Sequence, residues 1–280
     1  MTPKIFIEVV KTISPSFGGI NLEDIASPKC FYILERLREE LDIPVFHNDQ
    51  QGTSPVVLAG LMNAPQVVGK KLEEVTIALF GAGAAGFATL RILTSAGMKP
   101  GNVRVVELVG KKPRVLTPDL PLEELFPHRG WLLEKTNGEG IEDGQEKALT
   151  GADVLISFTK PGPGVIKPEW IAGMTDNAIV FPLANPTPEI LPEEAKKASA
   201  RIVATGRNDY PNQINNLLGF PGIFRGALDV RAKTITNRMV IAASGAMASI
   251  VEEPSEELIM PSPPQPRRPR KGGEGRRGGG

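Results

Sequence analysis

Two groups of residues in this chain have the types and spacing that chemistry needs. The first is Gly81-Ala82-Gly83-Ala84-Ala85-Gly86, a G-x-G-x-x-G hexapeptide. Alone it is a weak signal. Here it follows the apolar run VTIALF (75–80) and opens the helical pattern FATLRILTSAGM, ahead of VRVVE (103–107). In a strand–turn–helix–strand unit the first glycine permits the tight turn. The second lets a pyrophosphate approach the backbone, and the third lets helix and strand pack closely. The helix N-terminus then presents free N–H groups and a positive dipole end. Glu107 lies 21 residues after Gly86, at the end of the next strand. An acid there hydrogen-bonds the adenosine ribose. It also repels a 2′-phosphate, which favours NAD, while Lys111 and Lys112 nearby keep NADP open.

The second group is acidic. Glu23 and Asp24 end one short strand (GINLEDI) and Asp49 ends the next (VFHND). Parallel strands gather their carboxyl ends, so three carboxylates can share one crevice. They repel one another unless a cation sits among them. An all-oxygen donor set suits Mg²⁺ or Mn²⁺. Acid pairs at strand ends also cap helices or solvate loops, and spacing alone leaves both roles open.

The elements that must position these groups alternate in the manner of an α/β domain with a parallel sheet. TPKIFIEVVKTI predicts a helix. SPKCFYILERLREEL predicts another, with Ser27 and Pro28 at its start. A third runs from Thr53 to Val68, with Pro65 ending or kinking it. VTIALF, VRVVE, DVLISF (153–158), AIVFPL (178–183) and RIVAT (201–205) predict strands covered on both faces. Residues 108–147 predict a loop-rich excursion with Trp131 isolated in it. The fold class is therefore α/β, a Rossmann-type doubly wound parallel sheet.

Composition narrows the setting. The 280 residues carry 32 cationic and 32 acidic side chains. Residues 261–280 hold six Lys or Arg, one Glu, 11 Gly or Pro and no apolar residue. Nothing there can be buried against the entropy of ordering. The cations suit RNA or an acidic surface, or form only a solvated tail. The body is mildly acidic, which gives no reason to expect a nucleic-acid partner. No apolar run is long enough to span a membrane. One cysteine, Cys30, excludes an internal disulfide scaffold and points to a cytoplasmic setting. His47 and His128 are the only histidines, and His47, beside the acids, is expected to pack or hydrogen-bond.

Five motifs in order, GGINLEDI, IPVFHNDQQGT, LFGAGAAGF, FPLANPTPEI and ATGRNDYPNQINNLLGFPGIFRGALD, resemble those of malic enzymes over about residues 1–250. The match is closest to the compact bacterial and archaeal type. The resemblance implies oxidative decarboxylation of L-malate to pyruvate and CO₂, with NAD(P)⁺ and Mg²⁺ or Mn²⁺. It makes Glu23, Asp24 and Asp49 the metal ligands and Gly81 to Gly86 the dinucleotide loop. It makes Asn185 and Asn216 contacts to substrate and nicotinamide, although Asn-Pro also caps turns. It implies a division into part of a smaller α/β domain (1–46), the Rossmann domain (47–252) and a disordered tail (253–280). It also implies a homo-oligomer once the first domain is supplied.

The departures are equally specific. The family's base Lys and acid Tyr come from a region ahead of GGINLEDI, where this chain has only about 20 residues. Tyr32 and Tyr210 lie downstream, and Lys4 and Lys11 match the stretch after the family's Lys. The chain is thus expected to be a fragment lacking most of the first domain, with an apolar surface left uncovered. Asn48 stands where the family has a second acid. After PSEELIMPS the resemblance stops, as at a truncation or a shifted reading frame.

Overall fold

The computed structural model describes residues 1–120 and 130–262. His128 and the low-complexity residues from 263 onward lie outside them.

The central sheet is built from strands too apolar to face water. β3 (Ile77–Phe80), β6 (Val154–Ser157) and β7 (Ala178–Pro182) are buried at every position. Side chains alternate across a strand, so each strand feeds two cores. Ile77, Leu79, Val154, Ile156, Ile179 and Phe181 join one. Ala78, Phe80, Leu155 and Val180 join the other. The first core is covered by α3 (Thr53–Val67), α4 (Ala84–Ser95) and α10 (Asn237–Ser249), through Leu58, Leu61, Leu90, Leu93 and Val240. The second is covered by α6 (Gln145–Leu149), α7 (Pro168–Ala172) and α8 (Pro192–Lys197), through Leu149, Ile171 and Ala195.

The strand order is β5-β4-β3-β6-β7-β8, with β4 at Val103–Val109, β5 at Lys112–Val115 and β8 at Ala200–Val203. All pairs are parallel except β4–β5. From β3 the chain adds β4 on one side and later β6 on the other. The carboxyl ends of β3 and β6 therefore flank a topological switch point, where open α/β sheets bind ligands.

A second, two-stranded parallel sheet pairs β1 (Ile20–Leu22) with β2 (Val45–His47), Leu22 opposite His47. α1 (Pro3–Ile13) and α2 (Lys29–Glu40) cover it through Ile7, Val10, Leu34 and Leu37. On the outer face of α1, Ile5, Val9 and Ile13 are exposed, as is Phe17 just beyond it.

Two expectations change. Residues 108–147 are not wholly loop: β4 continues to Val109, β5 turns back against it, and α5 (Gly130–Lys135) seats Trp131 against the larger core. Residues 253–260, assigned to the tail from sequence, pack onto the body. Ile259 and Met260 are buried, and Asn212 and Asn63 tie the Ile259 backbone down. The third helix runs through Pro65 and stops two residues later. Among the described residues no helix is long and apolar enough to cross a membrane.

Candidate functional site

The glycine loop sits where β3 ends and α4 begins. Gly81 has φ +83°, and a Cβ there would meet the Phe158 carbonyl at 2.8 Å. A Cβ on Gly86 would sit 1.9 Å from the Gly81 oxygen. Both positions are closed to a side chain by the protein itself. Gly83 differs: its absent Cβ faces nothing within 4 Å. That open space is what a ligand approaching the backbone requires. Ala82, Gly83 and Ala84 lead into the first turn of α4, whose N-cap, Gly83, has no side-chain hydrogen bond. Glu107, half-buried on β4, accepts a hydrogen bond from the Ala82 amide. Its carboxylate thus braces the loop from the strand.

Gly81, Gly83 and Glu107 line one cavity of about 910 Å³ with Lys111, Phe158 and Thr159. Ser27, three residues beyond Asp24, closes its other side. Glu23, Asp24 and Asp49 themselves are not among the residues lining this cavity.

The acids occupy one corner but do not converge. β1 and β2 are parallel, so Glu23 and Asp49 emerge from adjacent strand ends. Asn48 Nδ2 donates to Glu23 Oε1 at 3.1 Å, and Asn21 Nδ2 to Glu23 Oε2 at 3.4 Å. The Asp24 amide donates to Asp49 Oδ2 at 3.0 Å, with Asp24 at φ +57°. Among the described residues no three His, Cys, Asp or Glu side chains are grouped around a common point. The three-carboxylate cluster of Glu23, Asp24 and Asp49 predicted from sequence is thus absent from this conformation. Neutral Asn48 and the Asp24 amide satisfy the oxygens instead. The donor chemistry still suits a hard divalent ion, because every carboxylate present is oxygen-only and partly exposed.

Buried His47 has Nδ1 3.6 Å from Asp49 Oδ2. Burial pushes its pKa down, against the pull of Asp49 and Glu23. Lys11 pairs with Glu40 at 2.6 Å, Tyr32 is exposed on α2, and Tyr210 lies under Arg207. None of them bonds to the acids.

The two asparagines reach the same region by different routes. Asn216 stands over the turn after β2: a Cβ on Gly52 would meet the Asn216 Cβ at 3.1 Å. Asn185 follows β7 and lies against Gly206, whose Cβ would be 2.9 Å from Asn185 Oδ1. Asn215 Nδ2 donates to the Gly206 carbonyl at 3.2 Å. The two asparagine loops are thereby joined.

Sequence reasoning missed Glu189. It is fully buried, yet its carboxylate accepts from Ser157 Oγ (2.6 Å), the Thr159 amide (3.0 Å) and the Ala184 amide (3.1 Å). Burial raises its pKa, against these hydrogen bonds. It ties the cavity-lining end of β6 to the Asn185 loop. The signal was present: an acid between Pro188 and Ile190 in TPEI, directly after LANP.

Fold, switch-point crevice and glycine loop together define a dinucleotide-binding domain of the Rossmann type. The family model "Malic enzyme, NAD binding domain" matches residues 50–105 and 151–265, and "Malic enzyme, N-terminal domain" matches residues 2–38. The chain belongs to the malic enzyme family. It is 48% identical over 258 residues to the NAD-dependent malic enzyme of Geobacillus stearothermophilus, covering 91% of this chain and 52% of that one. The NADP-dependent malic enzyme of Halomonas elongata is 41% identical, over 92% of this chain and 59% of its own length. The crystal structure of malic enzyme from Pyrococcus horikoshii superposes with a TM-score of 0.90 at 79% identity, over 93% of this chain and 60% of that one. The chain thus spans little more than half the length of these relatives.

Proposed function

We propose that the chain supplies the cofactor-binding and metal-binding side of an NAD-linked oxidative decarboxylation of L-malate to pyruvate and CO₂. The observation that supports this is that Ser27, three residues beyond Asp24, lines the same cavity as Gly81 and Gly83 of the dinucleotide loop. A substrate held at the acids would present its C2 hydrogen to a nicotinamide in the crevice. Family membership supports malate as that substrate.

In this reading the backbone around Gly83 and the α4 N-terminus hold the pyrophosphate. Glu107 holds the ribose hydroxyls and favours NAD over NADP. Asn185 and Asn216 orient the carboxylate and the nicotinamide amide. Glu23, Asp24 and Asp49 would hold Mg²⁺ or Mn²⁺, leaving their present partners Asn48 and the Asp24 amide. When bound, such an ion stabilises negative charge on the C2 oxygen. The hydride leaves C2, the hydroxyl proton goes to a base, and C3 is protonated after CO₂ departs. No lysine or tyrosine among the described residues bonds to the acids. That observation favours a second reading, a non-catalytic module that binds NAD and metal.

The experiment is malate-dependent NADH formation with Mn²⁺, with NADP⁺ in parallel. The first reading expects NADH and pyruvate in equal amounts, abolished by EDTA and by Asp49→Ala. A folded chain that binds NADH but forms none would favour the second reading. Turnover with an amino acid and not malate would overturn both.

A further inference from the structure

A second polar cleft shares no lining residue with the dinucleotide crevice. It lies between α2, the turn after β2, the start of α3, α4 and α10. Its walls carry Arg38 and Arg91, and its floor carries Gln50 and Ser54. Asn237 sits at the rim. We propose that this cleft binds a small oxyanion, a carboxylate or a phosphate, between Arg38 and Arg91.

Arg38 is largely buried, donating through Nε to the Val45 carbonyl (3.0 Å) and through Nη2 to Gln51 Oε1 (2.7 Å). Arg91 lies over the Phe87 ring. Neither guanidinium has an ion-pair partner among the described residues. Glu35, exposed on α2, is the acid whose field reaches Arg38, without pairing with it. Two further residues lining the cleft carry buried donors. Gln50 Nε2 and Ser54 Oγ have no hydrogen-bond partner, in side chains only 5% and 1% exposed. Burial and the charge of Arg91 pull the Arg38 pKa down to about 10.

Unpaired buried donors are costly, and so is the largely buried Arg38 guanidinium within the field of exposed Arg91. An oxyanion answers all of them at once, because it accepts hydrogen bonds and carries the missing negative charge. A cation answers none. Water satisfies Gln50 and Ser54 but leaves the two guanidiniums repelling. The cleft's space is about 50 Å³, room for about three water-sized occupants, or one carboxylate or phosphate head. The floor follows Asp49 and one wall is the helix opened by the glycine loop, so an occupant touches both elements.

The test titrates the full chain with inorganic phosphate and, separately, acetate, at constant ionic strength against chloride. Excess NADH is present to fill the dinucleotide loop. Calorimetry reads binding and circular dichroism verifies each variant's fold. Expected is saturable one-to-one binding of at least one anion, weakened about tenfold by Arg91→Gln and lost in Arg91→Glu. Arg91 is exposed, so both variants should fold. Phosphate alone or acetate alone would identify which head the cleft takes. No saturable binding of either, or binding undiminished in Arg91→Glu, would overturn the proposal.

Discussion

Replacing Gly83 and Gly86 by alanine should separate cofactor binding from folding, although the two glycines lie three residues apart. A Cβ at Gly86 would sit 1.9 Å from the Gly81 carbonyl oxygen, a backbone atom that cannot swing aside. The loop or α4 must shift by about 1 Å, an overpacking cost of about 1–3 kcal/mol. For a domain of this size, that lowers the melting temperature by about 2–12 °C. A Cβ at Gly83 meets nothing within 4 Å. Loss of the N-cap glycine should cost below about 1 kcal/mol. The same methyl occupies the space through which a pyrophosphate reaches the amides of the loop. Losing one charge-assisted hydrogen bond of about 1.5–3 kcal/mol weakens NADH about tenfold or more. Thermal unfolding by circular dichroism and NADH titration by fluorescence give the two readouts. Gly83→Ala that binds NADH like the parent would refute the role given to the open space. Equal destabilisation by both variants would refute the steric argument.

Three further outcomes follow from the structure. Asp153 is nearly buried; desolvation raises its pKa, but Lys70, the Thr76 amide and Thr175 together hold it below the ordinary 3.8. Its contribution should be present above about pH 4 and lost as pH falls through the depressed value. Asp153→Asn should flatten that acid limb in urea unfolding measured from pH 3 to 7. Glu189→Gln places an amide N–H₂ against the Ala184 N–H or the Ser157 and Thr159 donors, costing about 1–3 kcal/mol. Because burial raises the pKa of Glu189 above 4.5, the parent should lose stability as pH rises from 4.5 through the raised value, and the variant should not. Asn48→Asp removes the hydrogen bond to Glu23 and sets two carboxylates together. It should lower the melting temperature without metal and tighten Mn²⁺ binding by calorimetry; weaker Mn²⁺ binding would contradict the corner's role.

Much of this was legible in the chain because the strands are covered on both faces. VTIALF, DVLISF and AIVFPL cannot face water, so their type and order follow from composition alone. β5 was not legible. Three of its four residues are exposed, one is Pro113, and it is held at the sheet edge by pairing with β4. The neighbourhood of Glu23 and Asp49 followed from parallel strand ends. Their failure to converge did not, because it depends on which way Asn48 turns its amide and on the Asp24 backbone. Glu189 escaped because its partner Ser157 lies 32 residues earlier in the chain. The oxyanion cleft draws on five elements and has no motif. Only unpaired donors in a folded chain disclose it.

The central claim is that the acid corner and the dinucleotide crevice form one site. Calorimetric titration of L-malate into the NADH-loaded chain, with and without Mn²⁺, tests it most directly. The account predicts malate binding that requires Mn²⁺, strengthens with NADH and disappears in Asp49→Ala. Malate binding indifferent to Mn²⁺ and to Asp49→Ala would contradict it.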